Sequence, residues 1–180
     1  MMTSEKMVQE LESAIRSGKA PEFEVMSYQT VNGGDLEGEP QITVELVLVL
    51  DGQQVKKNVG RQVSRTRHVH GYIGRLGTID LIERAYREAL AERWPEIKDL
   101  LLEFNTPGYS VVAMGLSSGP EGSEHHVQVS MQVVNGRSHG GIVNEGVDTI
   151  QEVVRTYKMA FHWLAWRLLR RMRGEARARN

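Results

Sequence analysis

The chain has 180 residues, 40% hydrophobic and 25% charged, and its 22 Lys and Arg against 23 Asp and Glu leave a formal charge of -1. That length suits one domain, or two small units with a common core, and excludes a complete (β/α)8 barrel of about 250 residues. The absence of cysteine excludes disulfides, a thiolate nucleophile and a zinc ribbon, and the near-neutral charge gives no reason to expect a nucleic-acid binder.

In chain order, Met1–Lys6 shows no apolar signal core, and no later apolar run nears the ~20 residues that span a bilayer. A soluble, cytoplasmic protein is expected. The first element is a helix with Ser4 as cap and Met7, Val8, Leu11, Ala14 and Ile15 on one face. Gly18 suits the left-handed position after it, and Pro21 prevents continuation.

A strand is expected over Phe23–Val31, followed by a Gly-rich acidic loop, Asn32–Pro40. Ile42, Val44, Leu46, Leu48 and Leu50 alternate with polar or outward positions, the period of a half-buried strand. Asp51-Gly52 is a two-residue hairpin signal. A return stretch runs to Gly74–Asp80. A helix then places Leu81, Ile82, Ala85, Tyr86, Ala89 and Leu90 on one face, with Asp80 as its expected cap and Glu83 three residues on.

The same order recurs. Leu100–Met114 reads as a strand with a break or bulge at Pro107-Gly108, and Gly115–Ser123 as a loop, including Ser117-Ser118 as a turn. Val127, Val129, Met131 and Val133 alternate, Asn135-Gly136 marks a turn, and a short strand reaches Gly140–Val143. A helix follows with Ile150, Val153, Val154, Tyr157, Ala160, Phe161 and Leu164 on one face and Asp148 or Thr149 as cap. The expected fold is α+β: a tandem βββα repeat, two three-stranded antiparallel sheets packed with helices, an N-terminal helix and a long C-terminal helix. The divisions are an N-terminal helix over 1–20 and two units over 21–95 and 96–180, combined in one domain.

Two features break the symmetry. Residues 53–70 look like an insertion, carrying Lys56, Lys57, Arg61, Arg65 and Arg67 without an acid. The last helix runs on with a second stripe, Met159, Trp163 and Trp166, and ends in an Arg-rich tail. Apolar surface on two sides of one helix implies burial on both, and a homodimer contact through the sheet faces and this long helix is expected.

Four stretches together resemble the C-terminal regulatory domain of 2-isopropylmalate synthase and citramalate synthase. They are Gly77-Thr78-Ile79-Asp80-Leu81, Ala89-Leu90 through Trp94–Lys98, Tyr109-Ser110-Val111, and Asp148–Glu152 with Tyr157. The resemblance covers about Phe23–Leu164. It departs from the family at Thr78, where proline is usual, at 53–70, and in the length of the last helix. The catalytic barrel of that family is missing, so the resemblance implies a non-catalytic regulatory and dimerisation module. It further implies an effector that is a branched-chain amino acid or similar small carboxylate, and a synthase catalytic subunit as a further partner.

The strand-to-helix junctions are the expected effector site, because a helix N-terminus offers unpaired N–H donors to a carboxylate and glycine permits close approach. The candidates are Gly74, Gly77, Thr78, Ile79 and Asp80 in one unit, and Gly141, Asn144, Gly146, Val147 and Asp148 in the other. The glycines are equally accounted for as turn residues, and Asp80 and Asp148 as caps. His68 and His70 share a strand face, and His125, His126 or His139 would have to join them for zinc; solvated histidines account for them as well, and no metal, cofactor or membrane association is expected. No nucleophile–base pair is visible. Two alternatives stand beside the regulatory module: a structural oligomerisation module without ligand, and an anion- or nucleic-acid-binding protein using residues 53–70.

Overall fold

The computed structural model describes residues 4–33, 41–60, 68–69, 72–73, 77–102, 104–119, 122–135, 138–146 and 148–178. The chain forms α1 (Ser4–Arg16), β1 (Phe23–Gly33), β2 (Gln41–Leu50), β3 (Gln53–Gly60), the two-residue strands β4 (His68–Val69) and β5 (Tyr72–Ile73), and α2 (Thr78–Arg93). A 3-10 turn (Pro95–Ile97), α3 (Lys98–Leu102), β6 (Phe104–Gly119), β7 (Gly122–Asn135), β8 (Ser138–Gly146) and α4 (Thr149–Ala178) follow. Strands β1-β2-β3 make one antiparallel sheet, β4-β5 a hairpin, and β6-β7-β8 a second three-stranded antiparallel sheet. The class is α+β, with antiparallel sheets and, among the described residues, four α-helices.

Local signals fix several junctions. Asp51 and Gly52 both adopt positive φ, 47° and 74°, as a tight hairpin turn between β2 and β3 requires. The turn is clasped to the start of β1: the Glu22 N–H donates to Asp51 Oδ1 at 2.9 Å, and the Gly52 N–H donates to Glu22 Oε2 at 2.8 Å. Gly18, at φ 66°, ends α1. The Lys19 N–H reaches the Ala14 carbonyl and the Gly18 N–H the Ile15 carbonyl, the paired bonds of a glycine-terminated helix.

The core lies between the helices and the sheets. Val44, Leu46, Leu48 and Leu50 of β2 face the buried side, where α2 covers β2 and β3 with Leu81, Ile82, Ala85, Tyr86, Ala89 and Leu90. Helix α4 packs on β7 and β8, and also on β1, α2 and α1. Phe23, Tyr86, Tyr157 and Phe161 stack in series with centroid spacings of 5.4–6.2 Å. The Tyr86 hydroxyl donates to the Val154 carbonyl at 2.9 Å, and burial pushes its pKa far above the ordinary tyrosine value. Among the described residues no helix is long and apolar enough to cross a membrane.

The structure corrects several expectations. Residues 53–60 are not an insertion but the third strand of the first sheet. Lys56 pairs with Glu45 at 2.8 Å, and Lys57 pairs with Glu92 of α2. Arg61, Arg65, Arg67 and His70 lie outside the described residues. The expected loop Gly115–Ser123 is mostly strand, with β6 and β7 paired out to Gly119 and Gly122, so Ser117 and Ser118 are ladder residues. The strand expected from Leu100 begins at Phe104, after α3. Asn135 is still in register with Ser138, so it belongs to β7 rather than to the turn. The Pro107-Gly108 break coincides with a register shift between Asn105 and Gly108.

The second stripe of α4 is also reassigned. Trp163 and Trp166 are buried within the chain and Met159 is half-buried against the core, where α1 and the second sheet cover this side of α4. Trp163 and Trp166 are therefore already covered within the chain. Ile15, expected on the inner face of α1, is instead exposed.

Two substitutions test this core. Phe161→Ala removes the ring between Tyr86 and Tyr157 and is expected to cost about 3–5 kcal/mol in urea denaturation. Trp163→Glu places a charge at a buried position and is expected to unfold the chain, not to convert a folded dimer into folded monomers. Circular dichroism with light scattering separates those two results.

Candidate functional site

Helices α2 and α4 run in the same direction, antiparallel to β1. Thr78, at the start of α2, lies by Asn32 near the end of β1, and Arg93, at its end, donates to the carbonyl of Leu50, which pairs with Phe23. Along α4, Gln151 lines a cleft with Tyr28, Lys158 pairs with Glu24, and His162 reaches Pro21. Both helix N-termini therefore point to the same end of the first sheet.

Each N-terminus is partly satisfied by its own side chains. Gly77, not Asp80, is the N-cap of α2; Asp80 is the third helical residue, and its Oδ2 accepts the Gly77 N–H at 3.0 Å. The reason is local, since Thr78 and Ile79 already take helical conformation. Thr78 stands 3.5 Å from Asn32 Oδ1, and Ile79 packs partly buried against the core. At α4, Asp148 caps as expected, its Oδ1 accepting the Gln151 N–H at 2.7 Å. Glu152 is buried behind it, paired with Arg155 at 2.9 Å and pressed against Gly146. Asn144 donates to the Thr156 hydroxyl at 2.9 Å, and that hydroxyl donates to the Glu152 carbonyl. Gly141 pairs with Gln132 and Gly146 with Val127 in the β7–β8 ladder. Gly74 and Val147 lie outside the described residues.

Two carboxylates, Asp148 and Glu152, thus sit in the positive field of the α4 N-terminus, where a ligand carboxylate was expected. A ligand there must displace or share these contacts.

A different set of residues converges elsewhere. A cleft of about 480 Å³ opens between α1, the first residues of β1 and α4. Val8, Leu11, Ile15, Phe23 and Met159 give it an apolar wall. Lys158 and Glu24, paired at 3.1 Å, line it, as does Glu12 of α1. His162 forms part of the lining, 6% exposed and stacked on Phe23 at 5.0 Å. Its Nε2 lies 2.8 Å from the Pro21 carbonyl. A carbonyl only accepts, so Nε2 carries the proton and the neutral ring keeps a lone pair on Nδ1. Burial lowers the His162 pKa; the Pro21 bond opposes this, Lys158 adds to it, and Glu24 and Asp51 oppose it.

Sequence reading missed this cleft. His162 sits within an apolar helix stripe, and its partner Pro21 is 141 positions away. Only the adjacent Lys158, one turn earlier, hinted at a polar edge. Among the described residues no three His, Asp or Glu side chains form a metal-type cluster. His68, His125, His126 and His139 lie on β4, β7 and β8. In comparisons with known proteins, no family model and no curated sequence matches this chain.

Two outcomes are expected. A Cβ at Gly146 would overlap the Glu152 carboxylate, so Gly146→Ala should cost about 1–3 kcal/mol, and adding Glu152→Ala should restore most of it in thermal melts. His162 binds fewer protons folded than unfolded just below its ordinary pKa, so stability rises with pH there. It is lost as pH falls through about 6.5 toward the lower folded value. His162→Gln, which retains a donor for Pro21 but does not titrate, should flatten the stability profile in that window. Lys158, Glu24, Asp51, Glu22 and Glu12 are the charged groups around the ring.

Proposed function

We propose that this chain is a non-catalytic regulatory module that binds a small apolar amino acid, or a similar small carboxylate, as an effector. The single observation that carries the reading is the cleft beneath α1. It joins an apolar wall to a cation and an anion, Lys158 and Glu24, next to a buried neutral imidazole. Lys158 suits a carboxylate, Glu24 and Nδ1 of His162 suit an ammonium group, and Val8, Leu11, Ile15 and Met159 suit an aliphatic side chain.

The order of elements supports the kinship of the reading. A three-stranded antiparallel meander precedes α2 and another precedes α4. We read these as a tandem βββα duplication, the arrangement expected of the isopropylmalate and citramalate synthase regulatory domain. Homodimerisation belongs to the same reading, and its surface is better sought on β1. Among the described residues that strand pairs only with β2; it is bulged at Met26 and exposes Met26, Tyr28 and Val31. A separate synthase catalytic subunit is the partner such a module would regulate.

The test is calorimetric titration and thermal shift with leucine, isoleucine and valine at millimolar concentration. At a hundred times its dissociation constant, a ligand should add about 2.7 kcal/mol of stability. Loss of binding in Lys158→Ala places the effector beneath α1. Loss in Gly77→Val with Gly146→Val, but not in Lys158→Ala, places it at the helix junctions Gly77–Asp80 and Gly146–Asp148. No binding of any of the three leaves the structural oligomerisation module as the better reading.

A further inference from the structure

On the other flank of α1 lies a wider cleft of about 920 Å³, bounded by α1 and the C-terminal half of α4. Its charged lining is mostly positive. Lys6 and Lys19 come from α1 and the turn after it, and Arg167, Arg170 and Arg173 from α4, against one carboxylate among the described lining residues, that of Glu10. The whole chain carries a formal charge of only -1, so this concentration is a matter of placement.

Three arginines at successive intervals of three residues share one face of α4. Among the described residues no acid is paired with Lys19, Arg167, Arg170 or Arg173. Arg167 is held over the face of Trp163, 5.5 Å from the ring centroid. Basic residues at a helix C-terminus are ordinarily explained by the helix field, which fades beyond the last turn. Arg167 and Arg170 lie more than two turns before Ala178, the end of α4, so that explanation does not reach them.

We propose that this cleft binds a multiply charged organic phosphate of nucleotide size. Guanidinium forks match phosphate oxygens, and several unpaired ones on one wall can hold more than one phosphate group. The size and concavity suit a small molecule, since ligand clefts run to about 300–1,000 Å³. A membrane or a nucleic-acid duplex would meet the rim of the cleft and leave its floor unused. Glu10 limits affinity for an anion, because its charge opposes the ligand's. The site is separate from the apolar cleft across α1 and does not depend on the amino-acid reading.

The experiment titrates the full chain with inorganic triphosphate, with ATP and with a single-stranded RNA oligonucleotide, at low and at physiological salt. Saturable binding of triphosphate and ATP, weakened by salt, is expected. Arg170→Glu with Arg173→Glu changes two exposed side chains and should weaken binding by about tenfold or more. Lys98→Glu, exposed on α3, should leave it unchanged. Glu10→Gln should tighten binding, a change that general surface electrostatics at a distance would barely produce. The proposal is overturned if neither triphosphate nor ATP saturates at low salt, or if only the RNA binds. It is equally overturned if the double arginine variant binds as the parent does, or if Glu10→Gln weakens binding.

Discussion

Burial of α4 on more than one side is the constraint from which the rest of the structure follows. Tyr157 and Phe161 turn toward α2, where they stack with Tyr86, and through Tyr86 with Phe23 of β1. Trp163, Leu164 and Trp166 are also buried, while the outer turns of the helix carry Arg167, Arg170 and Arg171. A helix so enclosed cannot shift without disturbing β1, α2 and the second sheet together. The aromatic series adds orientation to the area it removes from water, since stacked rings prefer defined offsets. The clefts on either flank of α1 inherit their shape from this arrangement, because α4 supplies a wall of each.

Much of this was legible in local periodicity. The inward residues of β2 and the buried faces of α2 and α4 follow directly from spacings of two and of three to four. Asp51-Gly52 and Gly18 announce their turns because few residues accept positive φ. Strand β3 was misread because Lys57 occupies an inward position between Val55 and Val59. Its ammonium reaches out to Glu92 while its stem stays against the sheet, so the alternation in the letters is broken although the alternation in space is kept. The two-sided character of α4 was read correctly as burial on two sides. What the letters could not say was that the second cover is supplied by the same chain.

The candidate site was less legible than the fold. The glycines and acids near the helix entries stand out in a linear reading; Gly77 and Asp148 cap their helices, whereas Gly141 and Gly146 belong to the β7–β8 ladder. In space Asp80 and Asp148 turn back on their own backbones, and Glu152 pairs with Arg155. The cleft beneath α1 draws on residues from three elements, none of which forms a motif. Pro21, Glu24, Lys158 and His162 meet because β1 and α4 run antiparallel side by side, a tertiary fact without local signature. The basic cleft is half visible in sequence, as an arginine-rich helix end. Only the placement of α1 beside it turns a charged face into a concave one.

The order in which the elements occur has a consequence for synthesis. The first sheet and α2 precede α4 in the chain, yet Phe23 and Tyr86 are enclosed only once Tyr157 and Phe161 are in place. As the polypeptide leaves the ribosome, its N-terminal portion therefore waits with aromatic surface uncovered until the segment around residue 161 has emerged. Early intermediates of this kind are the ones that chaperones hold and that aggregate when crowded.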